Sequence, residues 1–90
     1  MMHMQGAYIR GELNTNECTY GSQPINDEQT CRTAAAVLRL TFSMVHGWDT
    51  FPGGCFQDET LNVFFNTQSG SSNVGSRKIC AQALQCAVNE

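Results

Sequence analysis

Ninety residues with a formal net charge of -3 make one small domain whose core alone supplies little stability. Only five residues are Lys or Arg, so no basic stripe exists to neutralise phosphates; nucleic-acid binding and docking on an anionic membrane surface are excluded as expectations. No apolar run approaches the roughly 18 residues of a membrane helix, so no transmembrane segment is expected.

Residues 1–16 are polar with scattered apolar positions and read as an N-terminal tail, in which Tyr8 and Ile9 could begin a short strand. Met1 to Gly6 lacks the charged and apolar regions of a signal peptide, so the targeting sequence of an exported form is expected outside this chain. Cys18-Thr19-Tyr20 reads as a short extended piece and Gly21 to Pro24 as a turn. Asn26 has the character of an N-cap, with Asp27 and Glu28 in the first helical turn and Gln29 at the capping-box position. The predicted helix spans about 27–39. Its apolar positions Cys31, Ala34, Ala35 and Leu38 fall at i, i+3, i+4 and i+7 and define one face.

Leu40, Phe42 and Met44 alternate with Thr41 and Ser43, which predicts a half-buried strand. A loop from His46 ends at Pro52-Gly53-Gly54, where the glycines permit a tight turn or close backbone approach. Cys55-Phe56-Gln57 and Val63 to Asn66 read as two more strands, with Asp58 to Asn62 as a hairpin connection. Gln68 to Ser76, rich in Ser, Gly and Asn, reads as a mobile surface loop. Ile79-Cys80-Ala81 predicts a final strand. Ala83, Leu84, Ala87 and Val88 have helical spacing, so 82–90 is expected as a C-terminal segment with a short helix through Cys86.

The order Cys31, Ala34, Ala35, Leu38, then Pro52, Gly54, Cys55, then Phe65, Asn66, then Ile79, Cys80 resembles small cysteine-rich modules of marine microalgal proteins, in dinoflagellates and haptophytes. The match covers roughly 17–81. No activity is established for these modules, so the resemblance implies a noncatalytic extracytoplasmic role. A single copy with an extra Cys86 points to a small stand-alone subunit more than to one bead of a repeat protein.

Five cysteines in a small domain point to disulfides made in an oxidising compartment, with at least one thiol left over. Sequence leaves the connectivity open. The preferred pairing joins helix to sheet, Cys31–Cys55, and terminus to terminus, Cys18–Cys80, with Cys86 as a free or interchain thiol. Zinc on Cys18, Cys31, Cys55 and Cys80 is disfavoured because no Cys-x-x-Cys pair is present. His46 with Cys55, Cys31 or Cys86 could form a thiol catalytic pair, whereas His3 lies in the tail. Asp49, Asp58 and Glu59 could serve calcium or acid/base work, but the calcium-loop pattern is missing and turn acids are the simpler reading. Trp48, Phe51 and Phe56 surround the Pro-Gly-Gly turn and are the candidate binding residues, as a stacking surface for a ring or a partner, with core packing as the ordinary alternative.

The expected fold is α+β, with one main helix packed on a three- to four-stranded antiparallel sheet over 17–81. The expected function is noncatalytic binding: an interaction module or small accessory subunit, secreted or in an organelle lumen. A peripheral lumenal subunit of an algal photosynthetic membrane complex is the narrower version. A carbohydrate-binding module using Trp48 and a small thiol enzyme are the alternatives. A protein or glycan partner is expected, and no metal or cofactor.

Overall fold

A short carboxylate starts the helix. Asp27 keeps extended backbone angles, and its Oδ2 accepts the Thr30 N–H at 2.9 Å, satisfying one of the first-turn amides. The computed structural model describes residues 8–82. Its elements are β1 (Tyr8–Arg10), β2 (Ser22–Pro24), α1 (Glu28–Val37), β3 (Thr41–His46), β4 (Pro52–Gln57), β5 (Asn62–Gly70) and β6 (Arg77–Gln82). The cap sits one residue later than the sequence predicted, because Asp27 rather than Asn26 reaches back to the helix amides. The helix then buries Cys31, Ala34 and Ala35, whose small side chains let it lie close to the sheet.

The sheet overturns the predicted architecture. Six strands form one mixed sheet in the order β1-β6-β4-β5-β3, and β2 also pairs β6. Across the described residues the domain is strand-dominated, with one ten-residue helix, and is not a main helix on an antiparallel sheet. Two causes account for the miss. β1 and β2 have three residues each, too few to show alternation, and β2 falls on the expected turn. The turn lies two residues earlier, at 19–22, where the Ser22 N–H reaches the Thr19 carbonyl.

The second cause is the chain path from β3 to β4. These strands are consecutive, yet β5 lies between them, parallel to β3 and antiparallel to β4. The link 47–51 therefore crosses β5. Local alternation carries no information about such a crossover. A bulge at Ser43, between Phe42 and Met44, also breaks the alternation in β3. Met44 and Val45 are consequently both exposed, where the sequence predicted Met44 half-buried.

Strand alternation gives the sheet two different faces. Cys55, Val63 and Ile79 face α1 and form the core with Ile25, Cys31, Ala34 and Ala35. Phe56, opposite Phe64 on β5 and Lys78 on β6, belongs to the other face. Cys31–Cys55 fastens helix to sheet, and Cys18–Cys80 fastens the segment after β1 to β6. β5 continues through Gly70, so the first part of the expected mobile loop is strand. It can do so because Gly53 lets the backbones close up: a Cβ there would lie 2.5 Å from the Ser69 carbonyl oxygen. The predicted C-terminal helix and Cys86 lie outside the described residues, as does His3.

Candidate functional site

The face away from α1 carries a cluster of aromatic rings. Phe56 and Phe64 are direct partners across β4 and β5, and their rings stack at 5.3 Å with 23° between planes. Phe51, just before β4, stacks on Phe56 at 5.5 Å and 15°. Trp48 stands edge-on to all three, at 5.7 Å from Phe51, 5.9 Å from Phe56 and 5.6 Å from Phe64. Near-equal distances mean that the three phenylalanines curve around the indole, in the edge-to-face geometry that aromatic quadrupoles favour. His46, at the end of β3, lies 4.7 Å from the indole. Phe56 is buried, while Trp48, Phe51 and Phe64 are half-buried.

The structure thus brings Trp48, Phe51 and Phe56 together. Two further members, Phe64 and Asn66, were not among the candidate binding residues, Asn66 having entered only as a residue of the resemblance. Phe64 shares their face because it pairs with Phe56, a relation fixed by the short turn between β4 and β5. Asn66 holds the crossover in place. Its Oδ1 accepts the Trp48 N–H at 2.8 Å and the Gln68 N–H at 3.1 Å. Its Nδ2 donates to the carbonyls of Trp48, Phe51 and Pro52 at 2.9–3.1 Å. One buried amide therefore pins both ends of the segment that carries the tryptophan. An amide in the middle of an otherwise aromatic strand was the available signal.

A cleft of about 250 Å³ opens at this cluster, lined by Trp48, Phe51, Phe56, Phe64 and Asp58. Asp58 has one oxygen committed to the turn. Its Oδ1 accepts from the Thr60 N–H at 2.9 Å, the Thr60 hydroxyl at 2.6 Å and the Asn62 N–H at 3.2 Å. Among the described residues Oδ2 has no hydrogen-bond partner, and the one ion pair is Arg32–Glu28 on the helix. Asp58 thus brings to an apolar cleft a carboxylate that has no cationic partner among the described residues.

A second, polar cleft lies higher on the same sheet, around Gly53, Gly54, Gln68, Ser69 and Lys78. Lys78 is buried, and its Nζ donates to the Gly53 carbonyl at 2.6 Å. Desolvation lowers its pKa from the ordinary 10.5. Asn16 closes this region: its Oδ1 accepts the Gly53 N–H at 2.9 Å and its Nδ2 donates to the Ser69 carbonyl at 3.1 Å.

The other candidate chemistries find less here. The sulfurs of Cys18, Cys31, Cys55 and Cys80 are consumed in disulfides. Neither Cys31 nor Cys55 offers His46 a thiolate while bonded, and Cys86 lies outside the described residues. Among the described residues no three His, Cys, Asp or Glu side chains converge on a possible metal position. No described helix is long and apolar enough to cross a membrane. The two intramolecular bridges are consistent with an oxidising environment. No family model matches the chain, and neither does any curated protein or solved structure.

Proposed function

We propose that this domain is a noncatalytic binding module of an oxidising compartment, taking its ligand or partner on the aromatic face built by Trp48, Phe51, Phe56 and Phe64. The observation that carries the reading is the convergence of four rings on the side of the sheet that α1 leaves uncovered. Concave apolar sites with few polar groups are where ligands bind, and half-buried aromatics supply large contact area at low entropy cost. Asn66 ties the Trp48 segment to β5 and Cys31–Cys55 ties β4 to α1, and such crosslinks within a site reduce the ordering cost of binding.

Amide chemical-shift mapping against a library of small ligands and soluble glycans tests this. The expected hits shift residues 46–66 and vanish in Trp48→Ala, whose backbone bonds to Asn66 are unaffected. Hits confined to the Lys78 cleft, or none on the aromatic face, would overturn the reading. The narrower version, a lumenal subunit of a photosynthetic complex, draws on the resemblance to microalgal modules. Its test is co-fractionation with thylakoid membranes, from which a uniformly free chain removes it.

A further inference from the structure

The cleft beside Trp48 combines two features that select one ligand chemistry. Four aromatic rings line it, and ring faces carry partial negative charge. The single charged group in the lining is the Asp58 carboxylate, with Oδ2 unpaired among the described residues. We propose that this cleft binds a small quaternary ammonium compound of the choline type, its methylated nitrogen against the rings and its charge facing Asp58. This deepens the binding-module reading and rests on it.

The competing classes fit less well. An anion meets like charge at Asp58. A sugar needs several hydrogen-bonding groups, and Asp58 is the one ionised or amide side chain in the lining. A neutral apolar ligand would strip water from the carboxylate and return nothing to it. A primary ammonium has three N–H groups to satisfy, and one carboxylate oxygen cannot accept them all. A quaternary ammonium has no N–H donor, tolerates an apolar wall, and gains both from the rings and from the carboxylate. The size of the cleft, about 250 Å³, limits the occupant to a small group. The chain's acidic balance, at -3, draws cations toward it.

Trp48 is the sole tryptophan, so intrinsic fluorescence reports on the site directly. The experiment titrates the oxidised protein with tetramethylammonium, with choline and with 3,3-dimethylbutan-1-ol, the uncharged carbon isostere of choline. Ionic strength is held constant with sodium chloride. Both cations are expected to give a saturable one-to-one change, with the neutral isostere about tenfold weaker. Asp58→Asn keeps Oδ1 for the turn and is expected to lower choline affinity about tenfold while circular dichroism stays unchanged. Equal binding of choline and its isostere overturns the cation proposal and leaves an apolar binding site standing. Silence of both cations, with ligand hits still mapping to residues 46–66, sinks this proposal alone. Silence in both experiments sinks the binding module as well. Binding confined to a trimethyllysine peptide, with free choline inert, overturns it in favour of a protein partner.

Discussion

Asn66 does the most for its size. It serves three carbonyls and two amides; the bond to the Pro52 carbonyl is buried, and the Phe51 carbonyl has a second partner in the Ser71 N–H. Asn66→Ala is therefore expected to cost about 3 kcal/mol, since unpaired buried groups are costlier than the bonds they lose. Urea unfolding measures this, and a loss below about 1 kcal/mol would mean that water replaces the amide. Lys78 is the other residue whose surroundings set its behaviour. Burial lowers its pKa below 10.5, so the folded chain releases this proton at a lower pH than the unfolded chain. Between those two values the unfolded state holds more protons, and stability rises with pH through that window. Lys78→Met should flatten the alkaline rise, and identical slopes in the two proteins would show that Lys78 does not cause it. At this scale residue type was legible and role was not. Trp48, Phe51 and Phe56 stand out by chemistry alone, whereas the duty of Asn66 exists only once a distant segment crosses β5.

At the scale of elements, α1 shows how closely a local signal can be read. Its apolar face was plain in the spacing of Cys31, Ala34, Ala35 and Leu38, and the first three are buried in the structure. Its start moved by one residue, because Asn, Asp and Ser cap with similar strength and the sequence offered Asn26 and Asp27 side by side. Accepting the Thr30 N–H holds the Asp27 carboxyl below its ordinary 3.8. A depressed carboxylate contributes stability above the unfolded value and loses it as pH falls through the folded one. Asp27→Asn, which caps without a charge, should therefore lose less stability than the parent as pH drops past 3.8. Parallel acid titration curves for the two would rule out the cap as a contributor. Strand pairing was less legible than the helix. The β4–β5 turn follows from Asp58, Thr60 and Leu61, which takes a φ of 69°. The parallel β3–β5 contact depends on a crossover with no local signature.

At the scale of the whole molecule, cysteine count carried more information than hydrophobic pattern. Two bridges in a small domain were legible because a chain of this length has limited core to spend. Cys18–Cys80 spans 62 residues and Cys31–Cys55 spans 24. In the chain-entropy model these loops contribute roughly 4 and roughly 3.5 kcal/mol, less in combination because one loop lies inside the other. With Cys86 changed to Ser to prevent exchange, Cys18→Ser with Cys80→Ser should lower stability by roughly 4 kcal/mol. Removing Cys31 and Cys55 together should cost about as much, with an added loss where the helix meets the core. Thermal unfolding of both double variants is the check, and two near-neutral results would place the stability in the sheet alone.

The position of β6 in the sheet has a consequence for synthesis. Three earlier strands, β1, β2 and β4, pair with it, and it holds Cys80. A ribosome releases it last among the described strands, so those three wait with open edges until it emerges. Cys18 waits as well, and the first cysteine to appear after it is Cys31, which is not its partner. The nascent chain is thus exposed to a wrong early bridge that only later isomerisation can undo. Cys31–Cys55 can close while β6 is still unmade, and Cys18–Cys80 must be the closing stitch. A domain built this way depends on β6 to become a domain at all, and its yield in any host should follow the supply of disulfide isomerase.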